Sequence, residues 1–243
     1  MRLARKDQRV RKVPPTGTAS GTGNISIDVV GRVVAQEVDA NSDARIKNII
    51  GPSDTAFDLA TLEKLKITDY RYVDVVTKGN QPKIGVIAQE VEKVYPGGVR
   101  TLSEFIPSVY AMAGNVSYNG ATQELTVSVP KAHGFVVGDT VRIITDGGNM
   151  DKTVASVSDD HTFVLADVPA APRKVFVFGK KVNDFRVVDY DQLFSMNIGA
   201  TQQLAVKNQV LMKENAMIIA ENEAIKARVA ALERAVEKLQ KRN

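Results

Sequence analysis

The sequence predicts an α+β protein: a small mixed core, interrupted by an inserted all-β module and followed by a long C-terminal helix that winds around copies of itself. Three patterns carry that expectation. The last forty residues hold a heptad repeat, residues 112–180 are a run of short β segments broken by turns, and mixed strand and helix signals flank that run.

The heptads are the clearest signal. Leu204, Leu211, Ile218, Ile225, Leu232 and Leu239 fall seven residues apart as d positions, and Asn208, Asn215, Asn222, Val229 and Val236 occupy the matching a positions. Such a run makes a rod roughly 50 Å long at about 1.5 Å per residue. A single helix cannot bury this stripe, and no second helix of matching length is expected, so the chain must self-associate. Three successive asparagines at a cost stability but fix register, parallel orientation and strand number. The heptads alone leave dimer and trimer open.

Between 112 and 180, Asn-Gly, Gly-Asp, Gly-Gly and Pro separate short β-patterned runs, which is the pattern of a small all-β module. Its "HGFVVGDTVRI" resembles a motif of small β modules in phage tail proteins. His133 reads there as a turn histidine.

Ahead of the module, Ser53 or Asp54 can cap a helix that carries Phe57, Leu62 and Leu65 on one face. "YRYVDVV" (70–76) alternates as a strand, and "IGVIAQEVEKVYP" begins as a strand and continues as a short helix ending before Pro96. Upstream, "PPTGTASGTGN" (14–24) is a linker, and residues 25–41 read as one or two short strands around Gly31.

Composition removes several functions. The chain has no cysteine and only two histidines, His133 and His161, in separate segments. A disulfide framework, a zinc site and a histidine triad are therefore not expected, and no cofactor or metal is implied. The formal charge is +4, but Met1–Val13 alone carries +5, so the remainder is close to neutral. A basic excess confined to a tail argues against nucleic acid as the partner. Neither a signal peptide nor an apolar run of about 20 residues is present, so the expectation is a soluble protein made in a cytosol, with no membrane partner.

"NSDARIKNI" (41–49) places a serine five residues before a lysine. In isolation it is a plain charged loop. Taken in order with "YRYVD" (70–74), "IGVIAQEVEKVYPGGV" (84–99) and "VVDYDQL" (187–193), however, "SDARIK" resembles the C-terminal intramolecular chaperones of phage tailspikes, tail fibres and endosialidases. Members of that family are self-cleaving Ser–Lys peptidases. The likeness covers about 42–110 and 181–243, and the β insert between them departs from the family's compact pattern.

The resemblance implies a layout. Residues 1–41 would be the end of the fibre or tailspike part, with its basic tail, linker and short strands. Residues 42–111 and 181–203 would form the chaperone core, 112–180 the inserted module, and 204–243 the helix of a parallel trimeric coiled coil. It also implies a course of events in the host cytoplasm during phage assembly. The domain forms a homotrimer, folds the fibre part of its own chain, and cuts between Asn41 and Ser42. The fibre part then stays in the virion tail, and the chaperone leaves. A different reading keeps the fold without cleavage, as a structural trimerisation or receptor-binding module.

The implied dyad must satisfy chemistry. Ser42 needs a base near neutral pH, and Lys47 is the one available, provided the site frees its amine from solvent. Ile46, Ile49 and Ile50 are candidates to supply that apolar environment. Residues five apart sit about 140° apart around a helix and on opposite faces of a strand. The pair therefore requires a turn through Asp43–Arg45, or the lysine of a neighbouring chain. By the family pattern Asp43 is a candidate cap and Arg45 its partner, while Gln89 and Glu90 are candidate supporting residues.

Overall fold

The computed structural model describes residues 41–241, so the basic tail, the linker and the strands expected from residue 25 onward lie outside the described residues. The described residues form two compact units, one of Lys66–Val188 and one that joins Ser42–Leu65 to the chain from Asp189 onward.

In the first unit, β1 (Thr68–Tyr70) pairs antiparallel with β2 (Lys83–Gly85), and α2 (Val75–Lys78) lies between them in sequence. The strand expected at 70–76 is thus mostly absent: Tyr70 closes β1, and Val75 begins a helix. The cause is local. The Asp74 carboxylate caps this turn by accepting from the backbone N–H of Thr77 at 3.1 Å and from its hydroxyl, and Tyr110 donates to it at 2.9 Å. A capped turn outweighs the strand preference of Val75 and Val76. The strand-then-helix expectation over 84–95 holds, with α3 (Ala88–Val94) following β2 and closing before Pro96.

The remainder of this unit is one antiparallel sheet. It contains β3 (Val99–Phe105), β4 (Ala111–Met112), β5 (Asn115–Asn119), β6 (Glu124–Ser128), β7 (Thr140–Thr145), β8 (Gly148–Asp159), β9 (Thr162–Leu165) and β10 (Val175–Val188). The order is β3-β10-β7-β8-β9-β6-β5, with β4 also against β10. Alternation in β6, β7, β9 and β10 sends Leu125, Val127, Val141, Ile143, Phe163, Leu165, Val175 and Val177 inward, and all eight are almost completely buried. His133 is buried too: its Nδ1 accepts the Phe135 N–H at 2.9 Å, and its ring packs on Phe135 and Phe163. It holds a turn, as the sequence suggests.

Strand β10 joins the edge strand β3 to the rest of the sheet, its first half pairing with β7 and its second with β3, with irregular register near Gly179 and again near Asp184. A Cβ at Gly179 would stand 2.1 Å from the Ile106 carbonyl oxygen and 2.5 Å from the Ser108 nitrogen. Gly179→Ala is accordingly expected to destabilise the sheet by about 2–4 kcal/mol. Thermal unfolding of the full chain checks this; an unchanged melting temperature would mean that the 106–108 loop yields freely.

The second unit is built on α4 (Tyr190–Gln240), 51 residues long and capped by Asp189. At about 1.5 Å per residue it extends roughly 75 Å. α1 (Thr55–Leu62) packs on its first turns. Asp54 caps α1, accepting from the N–H groups of Ala56 and Phe57 at 3.0 and 3.1 Å. The face of α1 differs from expectation. Phe57 is 55 % exposed, Leu65 falls beyond the end of the helix, and Asp58, Leu59 and Thr61 are the buried residues. On α4 the buried partners are Leu193, Met196, Gly199 and Ala200.

Candidate functional site

Ser42, Asp43, Arg45 and Lys47 meet in a single turn of 3-10 helix, Ala44–Ile46, at the start of the second unit. Asp43 is its N-cap: the backbone before the turn is extended, and the Asp43 carboxylate accepts the Arg45 N–H at 2.8 Å. The Arg45 side chain folds back on the same carboxylate, with Nε at 3.0 and 3.2 Å and Nη2 at 2.7 Å. Backbone bonds from Ile46 N–H to Asp43 O and from Lys47 N–H to Ala44 O close the turn. The bidentate Arg45 contact holds the Asp43 carboxyl below the usual carboxylate range, and Asp43 in turn raises the Arg45 guanidinium.

The tight turn has a geometric consequence. Lys47 returns to extended backbone beyond the turn, and its Nζ comes 2.6 Å from Ser42 Oγ. Of the two routes that the spacing permits, a local turn or a neighbouring chain's lysine, the turn brings the two groups together within one chain. The surroundings are open, however. Ser42 and Lys47 are exposed, and Ile46, Ile49 and Ile50 are 67 %, 72 % and 102 % exposed. The isoleucines stand beside the pair in sequence but do not shield it from solvent within a single chain.

Residues 42–100 match the model of the family described as chaperone of endosialidase, which is also named as a peptidase family. This segment is similar to the endosialidase-chaperone family. The match begins at Ser42, takes in the Ser–Lys turn, and ends within β3. It supports a chaperone role for the domain in the folding of a phage fibre, and a serine-peptidase type of domain. No curated protein matches the chain.

Asn41 immediately precedes the chaperone segment. Gln89 and Glu90 lie on α3 of the other unit, Gln89 exposed and Glu90 half-buried. Glu90 Oε1 is 4.0 Å from Lys66 Nζ, and its Oε2 is buried with no hydrogen-bond partner among the described residues.

The heptad residues Leu204, Asn208, Leu211, Asn215, Ile218, Asn222, Ile225, Val229, Leu232, Val236 and Leu239 all lie on α4 as one stripe, with the apolar members about half exposed or more. The stripe starts earlier than the heptads indicate, because Tyr190 and Phe194 continue the d and a phases and are 59 % and 65 % exposed. The first turns of α4 therefore carry two apolar faces, one covered by α1 and one open. Sequence reasoning missed the α1-facing set; its signal was the small pair Gly199–Ala200 out of phase with the a and d positions.

Proposed function

We propose that this chain is a self-releasing chaperone. It assembles as a homotrimer through α4, folds the fibre or tailspike part preceding Ser42, and then breaks the Asn41–Ser42 bond with Ser42 as nucleophile and Lys47 as base. The carrying observation is the 2.6 Å approach of Lys47 Nζ to Ser42 Oγ across a capped turn. The released domain would be left behind in the host cytoplasm, and the fibre part would remain in the virion tail.

The chemistry follows from connectivity. Ser42 bears both the attacking oxygen and the leaving nitrogen, so attack on the Asn41 carbonyl carbon closes a five-membered ring. Neutral Lys47 takes the hydroxyl proton as Oγ adds. The C–N bond then breaks, and the lysine ammonium returns the proton to the departing nitrogen. This leaves Asn41 esterified to Ser42 Oγ. Water hydrolyses the ester, giving an Asn41 carboxylate and a free Ser42 amine.

A lysine ammonium has no lone pair to accept that proton, so Lys47 must be shielded from water before it serves as base. Closure of neighbouring chains over Ile46, Ile49 and Ile50 would supply the shielding, which makes cleavage follow assembly. Mass measurement of the expressed chain tests the proposal: a fragment beginning at Ser42 supports it, and intact chains in fully formed trimers would sink it.

The second reading, a non-cleaving trimerisation or receptor-binding module, draws on Val136 and Val137, which are 61 % and 65 % exposed on a loop of the β sheet. Retention of residues 42–243 in assembled particles would favour it.

The Asp43–Arg45 fork gives a graded test. Asp43→Ala removes the cap and the fork together and should slow cleavage by about tenfold or more, whereas Arg45→Ala leaves the cap and should cost only about a few-fold. Because the folded carboxyl of Asp43 is lowered from its ordinary 3.8, its contribution to the turn is complete above that value. It is lost as pH falls through the lowered folded value. Titration of the Asp43 carboxyl carbon by NMR in an uncleaved Ser42→Ala chain should show a midpoint below 3.8, and an ordinary midpoint would remove the fork.

A further inference from the structure

Asp58 is a buried carboxylate in the first turn of α1, only 5 % exposed. Its Oδ2 accepts a hydrogen bond from Ser53 Oγ at 2.8 Å. The same oxygen rests where α4 has no side chain, since a Cβ on Gly199 would stand 2.1 Å from it. One turn further along α4, Thr55 Oγ1 donates to Gln203 Oε1 at 2.8 Å. A buried carboxylate is costly unless it is bonded, and a glycine in a helix interior costs about 1 kcal/mol relative to alanine. Both costs converge on one contact.

We propose that Asp58 is a positioning residue for cleavage. With Ser53 and Gly199 it forms a clasp that ties the exposed segment leaving Lys47 to the helix on which the chains assemble. Between Lys47 and α1 the residues 48–54 are all exposed, and Ser53 is the one whose side chain is hydrogen-bonded to the buried carboxylate. Without the clasp, the Ser42–Lys47 turn would be joined to α4 by a loose tether and its orientation in the trimer would be lost. Misplacement of about 1 Å in a reacting group can cost on the order of a hundredfold in rate. The inference rests on the Ser42–Lys47 reading proposed above.

The test follows the appearance of the Ser42-starting fragment after a pulse of cell-free translation of the full chain, with trimers measured by cross-linking. Ser53→Ala should form trimers normally yet cleave on the order of tenfold more slowly. Asp58→Ala should behave likewise, and Asp58→Asn, which keeps an oxygen to accept from Ser53, should restore most of the rate. Gly199→Ala should nearly abolish cleavage, and adding Asp58→Ala should raise the rate back to that of Asp58→Ala alone, because the obstructed carboxylate is gone. Should Gly199→Ala fail to assemble, Ser53→Ala still decides. Trimers of Ser53→Ala or Asp58→Ala that cleave at the unmodified rate overturn the clasp while leaving the dyad standing. Cleavage of a Ser42→Ala chain at Asn41 would overturn both.

Discussion

Ser42→Ala will leave the chain whole. Removing the nucleophile should lower cleavage by at least about a thousandfold, on the scale of nucleophile loss in other serine peptidases. The more instructive change is Lys47→Arg. A guanidinium can still reach Ser42 Oγ and keeps the charge, but it stays protonated throughout the working pH range and cannot serve as base. It should therefore be as inactive as Lys47→Ala, while forming the same trimer. If Lys47 acted only by holding the turn through its charge, Lys47→Arg would retain most of the activity. Intact mass and cross-linking on the same samples separate the two, and cleavage by Lys47→Arg near the normal rate would eliminate the amine as base.

On the proposed reading, this chemistry should wait for assembly. Nζ and Oγ are already 2.6 Å apart, so proximity is in place before any partner arrives. What is missing is exclusion of water. Ile46, Ile49 and Ile50, close in sequence to the proposed dyad, are apolar and exposed. Cleavage should consequently proceed in assembled chains and be negligible in separated ones. Raising pH alone should not substitute for assembly.

What could be read in the residues was whatever rested on local spacing. The a and d series of α4, the turn punctuation of the β sheet, and the strand-to-helix change at 84–95 each have a period or a breaker that acts within a few residues. That Ser42 and Lys47 could meet only through a turn or across chains followed from the same arithmetic. The helix at 75–78 was hidden because Asp74 draws its support from Thr77 close by and from the distant Tyr110. The buried face of α1 was hidden for a stronger reason. It is set by residues on α4, with Thr55 and Gln203 separated by 148 positions, and no periodicity within α1 could reveal that a carboxylate rather than Phe57 faces the partner helix.

Replacing Ile218 and Ile225 with aspartate should leave the protein monomeric and uncut. Both lie at d positions and are 53 % and 55 % exposed on the single helix, so neither supports the fold of one chain. In a three-stranded coil each would be buried in triplicate. Burying an isoleucine contributes about 1.5–3 kcal/mol, so two layers of three forfeit on the order of 10 kcal/mol before any charge is buried. Each of the two association steps that build a trimer needs about 8 kcal/mol at micromolar concentration, so a loss of this size is more than one whole step. Sedimentation should then give a single chain mass, with helix α1 still docked, because the buried residues of α4 are Leu193, Met196, Gly199 and Ala200, far along the helix from 218–225. Cleavage is the telling measurement. If the monomers still released a Ser42 fragment at the unmodified rate, the lysine would need no partner to shield it, and the link between assembly and cutting would fall. Asn215→Ile makes the opposite perturbation. An apolar a layer should raise the melting temperature while relaxing strand number, giving mixed oligomers. Cleavage should then track the trimer fraction rather than overall stability, since the proposed shielding of Lys47 requires a neighbouring chain in the correct geometry.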